Sequence, residues 1–285
     1  MNGTVIVGYD VSPSSERTLE MAASEAAARD GNLVIVHAFH RLMPATRTAL
    51  TPLGAEQSTR EPGEEIAQEG AAKVRSRYPG MSVRTHVSAG PAPHVLAEAG
   101  RDAELLVVGN RGRGGFAELL LGSVSHRVLA HAPGPVLVVR GEPRPRLDHV
   151  LVLVDDDDSC DDLLEFAFTE AARRTARLTA ANVWDGTWLT AVAEPVDIAG
   201  ETAAIEAEHD SRLANVIRPW QAKFPEVHTV RRIATGSVGT VAVKATDDAD
   251  LVIIGSGRHG ARTGPVADAV LHHASCPVAV VPTGG

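Results

Sequence analysis

Apolar positions along this chain fall into short continuous runs separated by longer amphipathic stretches. TVIVGYD (Thr4 to Asp10), NLVIVHAF, LLVVG and PVLVV are β-branched or leucine-rich runs with no period-two alternation. Runs of this kind are strands of a parallel sheet covered on both faces. Between them lie stretches such as SPSSERTLEMAASEAAA, whose apolar residues recur at helical spacing. The order reads β-α-β-α-β-α-β-α-β, which predicts right-handed crossovers and an open, doubly wound sheet.

The same order then recurs. HVLVLVD (His149 to Asp155) repeats TVIVGYD with its terminal aspartate, and DDSCDDLLEFAFTEAAR repeats the first helical stretch. RLTAANVW answers NLVIVHAF, RRIATGSVGTVAVKATDDADLVIIG answers THVSAGPAPHVLAEAGRDAELLVVG, and VLHHASCPVAVV answers VLAHAPGPVLVV. Collinear blocks at this distance mark a duplicated domain rather than a solenoid, whose units run to ~20–50 residues. GEPRPRLD (Gly141 to Asp148) has the breakers and charges of a linker. The domains are therefore predicted at residues 1–143 and 147–285, with the boundary near Arg146. HRLMPATRTALTPLGAEQSTREPGEE has no clear period and several prolines, and is predicted to be a mobile loop.

A length of 285 residues agrees with two domains. Only 4% of residues are aromatic, so the cores must be aliphatic. The formal net charge of −9 argues against a general nucleic-acid binder, which needs a basic face, but not against a small anion held by a local loop. No secretory leader and no membrane span is expected. Cys160 and Cys276 have no metal-ligand spacing and fit a reducing compartment, so a cytoplasmic protein is expected.

The chemistry concentrates where LLVVG runs into NRGRGGFAELLLGSVSHRVLAHA. Gly109 ends a parallel strand, where ligands bind in open α/β sheets. Gly112, Gly114 and Gly115 let backbone N–H groups approach an anion. Gly122, Ser123, Val124 and Ser125 open the last helix, offering unsatisfied N–H groups, the positive dipole end and two hydroxyls. Arg111 and Arg113 add charge or are simply solvated. Asp10 either accepts hydrogen bonds from a ribose or base, or caps the next helix.

The terminal aspartate of VIVGYD, the G-x2-G-x9-G-[ST] loop from Gly109 to Ser123, and VLAHAPGPVLVV together resemble the universal stress protein family in its nucleotide-binding branch. The resemblance covers nearly the whole chain as a tandem. It implies two Rossmann-like domains, each a five-stranded parallel sheet in the order 3-2-1-4-5 with helices on both faces. It also implies ATP as ligand, with Mg2+ held through the phosphates. Residue by residue, it implies Gly8, Asp10 and Val36 on the nucleoside side, with Val36 acting through its backbone. Gly109, Arg111, Gly112, Gly122, Ser123, Val124 and Ser125 fall on the phosphate side. The final strands resemble those through which members of the family pair, which implies an intrachain pseudo-dimer, with homodimerisation and a regulatory protein partner as further expectations.

The second copy departs from this pattern. Gly255 and Gly264 match Gly109 and Gly122, but the loop between them is four residues shorter and Pro265 replaces Ser123. Asp155 still matches Asp10, and Ala181 matches Val36. The second copy is therefore expected to bind ATP weakly or not at all.

Other signals have plainer readings. Asp155 to Asp158 form either a divalent-metal site or a solvated helix start. His131, His272 and His273 sit in matching last turns, suited to the helix dipole or to zinc. Trp184, Trp188 and Trp220 are packing or interface residues, and Cys276 is a small buried hydrophobe. The sequence has neither a G-x-x-x-x-G-K-[ST] loop nor a G-x-S-x-G elbow, although His126 lies one residue beyond Ser125. The expected function is non-catalytic: ATP occupancy regulating a stress or dormancy response. A slow ATPase and a nucleotide-stabilised interaction scaffold stay open beside it.

Overall fold

The computed structural model describes residues 3–39, 55–111, 121–142, 144–155, 160–185, 198–256 and 264–283. The chain divides into two compact units, Met1–Val139 and Arg140–Gly285. In the first, β1 (Thr4–Gly8), α1 (Pro13–Ala28), β2 (Asn32–Phe39), α2 (Ala55–Arg77), β3 (Ser82–Ala89), α3 (Ala92–Ala99), β4 (Leu105–Gly109), α4 (Ser123–His131) and β5 (Val136–Val139) alternate. Their strands pair in parallel in the order β3-β2-β1-β4-β5. The second unit repeats the pattern with β6 (His149–Leu153), α5 (Asp161–Arg174), β7 (Arg177–Trp184), α6 (Ile198–Lys223), β8 (Thr229–Thr235), α7 (Val238–Ala245), β9 (Leu251–Gly255), α8 (Pro265–His273) and β10 (Val278–Val281). Its order is β8-β7-β6-β9-β10, also parallel. This is the α/β architecture predicted from the apolar runs, present twice.

The central strands are buried along their length because helices cover both faces, which is why they carry continuous apolar runs. Val5, Val7, Leu33, Ile35 and Val107 are fully enclosed. Against them α1 turns Leu19, Ala22, Ala23 and Ala26, a stripe at helical spacing. In the second unit Phe168 is fully buried, with its ring 5.8 Å from Phe224 and 6.5 Å from Trp220. Trp184 stacks on His209 at 5.6 Å, so two of the tryptophans are packing residues. Trp188 lies outside the described residues.

One reading changes. Residues 55–65, predicted as part of a mobile loop, belong to α2, with Pro62 inside the helix. Their polarity hid the helix, because Glu, Gln and Arg favour helix without leaving an apolar stripe. Arg60 and Glu64 pair one turn apart at 2.8 Å. Residues 40–54 of the same stretch lie outside the described ones. Arg140, just before the predicted linker, and Arg144 within it are both anchored to the second unit. Arg140 donates to the carbonyls of Val270 (3.3 Å), His272 (2.7 Å) and Leu271 at the end of α8; Val270 also accepts the Ala274 N–H, whereas the last carbonyls of a helix have no partner within it. Arg144 reaches the carbonyls of Asp247 (2.9 Å), Thr246 (3.2 Å) and Ala249 in the same way.

His149 opens β6 as a buried neutral ring. Its Nδ1 donates to the Asp248 carbonyl at 2.5 Å, and its Nε2 accepts from the Thr179 hydroxyl at 2.8 Å. Burial holds its pKa below the ordinary histidine range, partly offset by the bond to Asp248. As pH falls, the unfolded chain takes up this proton before the folded one does. The stabilisation is thus complete above about pH 6.5 and is lost below it. In urea unfolding followed from about pH 8 to pH 5, wild type should lose stability through this window, and His149→Gln should lose less of it.

Candidate functional site

In the strand order β3-β2-β1-β4-β5, the connections reverse direction between β1 and β4. Ligands of open α/β sheets bind outside the carboxyl ends of the strands at such a switch point. In the first unit the ends of β1 and β4, with the turns leaving them, form the two walls of this crevice.

The β1 wall is the turn through Tyr9, Asp10, Val11 and Ser12. Asp10 accepts the Ser12 N–H at 3.1 Å. The cap of α1 is Ser12, whose hydroxyl accepts the Ser15 N–H at 3.2 Å, so the alternative reading of Asp10 as the helix cap falls away. Val11 between them has a φ of +55°, a left-handed conformation that costs a β-branched residue about 1–3 kcal/mol. The turn is held in that shape from outside. His37, nearly buried in β2, donates from Nδ1 to the Tyr9 carbonyl at 2.8 Å. The buried Tyr9 donates its hydroxyl to Glu16 at 2.5 Å, and Lys73 of α2 reaches both, at 2.6 Å from Glu16 and 3.1 Å from Tyr9. Burial and the bond to Glu16 push the Tyr9 hydroxyl up to about 12. Burial opposes the ionised form of Glu16, but its bonds from Lys73 and Tyr9 outweigh that and hold its carboxyl below the ordinary range.

The β4 wall is built from Gly109, Asn110 and the start of α4. A Cβ at Gly109 would sit 2.7 Å from the Ser14 hydroxyl and 2.8 Å from that of Thr18. Only glycine lets the strand end lie this close to α1. Asn110 continues the sheet by donating its N–H to Val139 at 3.0 Å. Its carbonyl accepts the Gly122 N–H at 2.7 Å, and its side-chain oxygen accepts the Ser14 hydroxyl at 3.3 Å. Gly122 is the N-cap of α4 and has no side chain to fold back over the helix end. The first-turn N–H groups of Ser123, Val124 and Ser125 therefore have no acceptor within the helix. They form the positive end of its dipole beside Gly109.

The sequence-predicted residues divide accordingly. Asp10, Gly109, Gly122, Ser123, Val124 and Ser125 come together at the crevice. Ser123 and Val124 are exposed there. Ser125 is buried and donates its hydroxyl to the Gly109 carbonyl at 2.5 Å, so it offers the crevice its N–H rather than its hydroxyl. The bare face of Gly8 is turned to Leu96, 3.1 Å from where a Cβ would be, and serves the packing of α3. Val36 pairs level with Gly8, is 1% exposed, and gives its carbonyl to the Tyr9 N–H at 3.0 Å. Continuing that register past the end of β1 carries Asp10 to the level of Ala38, two residues beyond Val36. Arg111 is exposed just past Asn110 and His126 is exposed on α4. Gly112 and the other loop glycines, Gly114 and Gly115, lie outside the described residues, as does Arg113. Sequence reasoning missed His37, Asn110, Ser14 and Thr18, whose polar groups act across elements and leave no periodic signal.

The second unit keeps the frame and changes the lining. Leu153 pairs level with Ala181, and the Val154 N–H donates to the Ala181 carbonyl at 2.9 Å, as Tyr9 does to Val36. Asn182 replaces His37 and donates to the Val154 carbonyl at 3.0 Å. Gly264 caps α8, but Pro265 is its first residue and brings no N–H. Asp155 is exposed, and Asp156, Asp157 and Asp158 lie outside the described residues. Among the described residues, no three or more His, Cys, Asp or Glu gather as a metal site. No described helix is long and apolar enough to cross a membrane.

Comparison with known proteins gives one consistent result. The profile of the universal stress protein family matches residues 1–140 and again 146–282. A universal stress protein of Mycolicibacterium smegmatis is 30% identical over 294 residues, covering 97% of this chain and 96% of its own. One from Mycobacterium tuberculosis is 30% identical over 290 residues, with the same coverage. Among solved structures, a universal stress protein from Archaeoglobus fulgidus superposes with a TM-score of 0.70 at 18% identity over all of both chains. A putative one from Pseudomonas aeruginosa gives 0.61 at 18% identity, covering 99% of this chain and 94% of its own. With both halves matched separately and relatives aligned nearly end to end, the chain belongs to the universal stress protein family as a tandem of two of its domains.

Proposed function

We propose that the first unit binds ATP at the β1/β4 crevice, and that its occupancy regulates what the protein contacts in a stress or dormancy response. The observation that carries this reading is the convergence of two complementary walls at one switch point. Asp10 and Ala38 supply a carboxylate and a small apolar surface for the nucleoside. Gly109 and the uncapped first turn of α4 supply backbone donors for phosphates. A polyphosphate fits such a start, where no Cβ intervenes and N–H groups lack acceptors. Bound Mg2+ would be held through the phosphates, the usual mode for this ion, and would neutralise part of their charge.

The reading is one of binding rather than catalysis. The Ser125 hydroxyl is donated to Gly109, and backbone N–H groups carry no proton to or from a reacting atom. Phosphate release from ATP should stay at the rate of protein-free buffer. The second unit, lacking the N–H at Pro265, takes no part in nucleotide binding on this reading.

Two variants separate the cradle from the fold. Ser123→Pro copies the second unit, and proline is well tolerated at the first position of a helix. It should leave the ligand-free melting temperature unchanged. It should also weaken ATP binding by about 1–2 kcal/mol, roughly tenfold, as measured by nucleotide-induced thermal stabilisation. Unchanged stabilisation in this variant would contradict the assignment. Ser125→Ala instead leaves the Gly109 carbonyl without its hydroxyl partner. It should destabilise the first unit by about 1–3 kcal/mol in urea with no nucleotide present, whereas a hydroxyl serving only the ligand would leave that curve in place.

A further inference from the structure

In the second unit the crevice that corresponds to the nucleotide wall is a cavity of about 340 Å3, whose described lining residues all belong to that unit. Its volume falls at the small end of the ligand-site range, ~300–1,000 Å3. Comparing the lining with the first unit position by position shows one kind of change. With Gly8 matched to Leu153 and Val36 to Ala181, Cys160 stands where the first unit has Ser15, and Leu163 where it has Thr18. At the other wall Pro265 and Ala267 replace Ser123 and Ser125, the first and third residues of the last helix. All four second-unit residues line the cavity. Four hydroxyls have gone, and one helical N–H with them.

Apolar groups extend this change. Val183 stands where the first unit has Ala38, and Val238 opens α7 where Ala92 opens α3. Both line the cavity, together with Ile254. Leu153, in the place of Gly8, also lines it. Polar groups stay at two points. Thr283 is buried beside Gly255, its hydroxyl oxygen 3.3 Å from where a Cβ there would be. Asp155 is exposed at the rim. A helix start shorn of one N–H and of the hydroxyls at its first and third residues is a poorer place for an anion than the start of α4. The aliphatic walls favour a body that loses nothing by leaving water.

We infer that the second unit holds a binding site for a compact, uncharged and mainly apolar small molecule, with Thr283 and Asp155 as hydrogen-bonding partners for a polar group on it. The site uses the β6/β9 switch point, as the first unit uses β1/β4, and stands independently of the nucleotide reading. On this view the duplication made two sites of different chemistry rather than one site and a relic.

The test is a fluorescence titration of the full chain with N-phenyl-1-naphthylamine, an uncharged apolar probe. Wild type should bind it saturably at one probe per chain, and saturating ATP should not displace it. Val183→Trp, which fills the cavity from β7, should weaken binding about tenfold or more. If that variant does not fold by circular dichroism, Val266→Asp carries the same expectation. This half-exposed position lies in the first turn of α8 and lines the cavity, and a carboxylate there suits the helix dipole. Absence of saturable binding, displacement by ATP, or full binding retained by the folded variants would each overturn the inference.

Discussion

Two hydrogen bonds fix the start of α4 to the end of β4: the Gly122 N–H on the Asn110 carbonyl at 2.7 Å, and the Ser125 hydroxyl on the Gly109 carbonyl at 2.5 Å. Together they set where the first-turn N–H groups lie relative to the sheet, and hence whether those groups can converge on one anion. Each bond is worth only about 1 kcal/mol net, but its value here is positional. Asn110 also receives the Ser14 hydroxyl, so the clamp ties together the last strand pair, α1 and α4. The absence of a Cβ at Gly109 is the condition for that closeness, since Ser14 and Thr18 occupy the space a side chain would need.

The opposite wall is held by different means to the same end. Val11 adopts a backbone conformation it would not choose alone. His37, through the Tyr9 carbonyl, and the Tyr9–Glu16–Lys73 cluster impose it. The result is a carboxylate, Asp10, presented at a fixed height above the sheet. Strain tolerated because the surroundings over-determine it is a recurrent property of ligand sites. Each unit shows the same backbone frame, so the contrast between them is one of lining. Ser15, Thr18, Ser123 and Ser125 in the first give way to Cys160, Leu163, Pro265 and Ala267 in the second.

Much of this was legible in the sequence because the dominant force writes itself there periodically. Strands buried on both faces must be continuous apolar runs, and a duplicated fold must repeat them, so the strands and the tandem could be read directly, whereas the order of strands in each sheet rested on the family resemblance. The glycine spacing marked Gly109, where a side chain would meet Ser14 and Thr18. Register was not legible. Both Val36 and Ala38 are apolar members of one run, and only the pairing with β1, which sets Val36 level with Gly8, tells them apart. Gly8 carried the right residue type for a site but answers to Leu96. The cross-element partners Asn110, Ser14, Thr18 and His37 were invisible for the same reason, since single polar residues acquire meaning only through neighbours distant in sequence. The amino-terminal part of α2 was hidden by its own polarity.

The proposed function rests on an asymmetry between two copies of one frame, whose crevices differ in lining. Calorimetric titration of ATP into the full chain reads that asymmetry directly. One site per chain, lost or strongly weakened in Ser123→Pro, is the predicted result. Two equivalent sites, no site, or a single site of unchanged affinity in Ser123→Pro would contradict it.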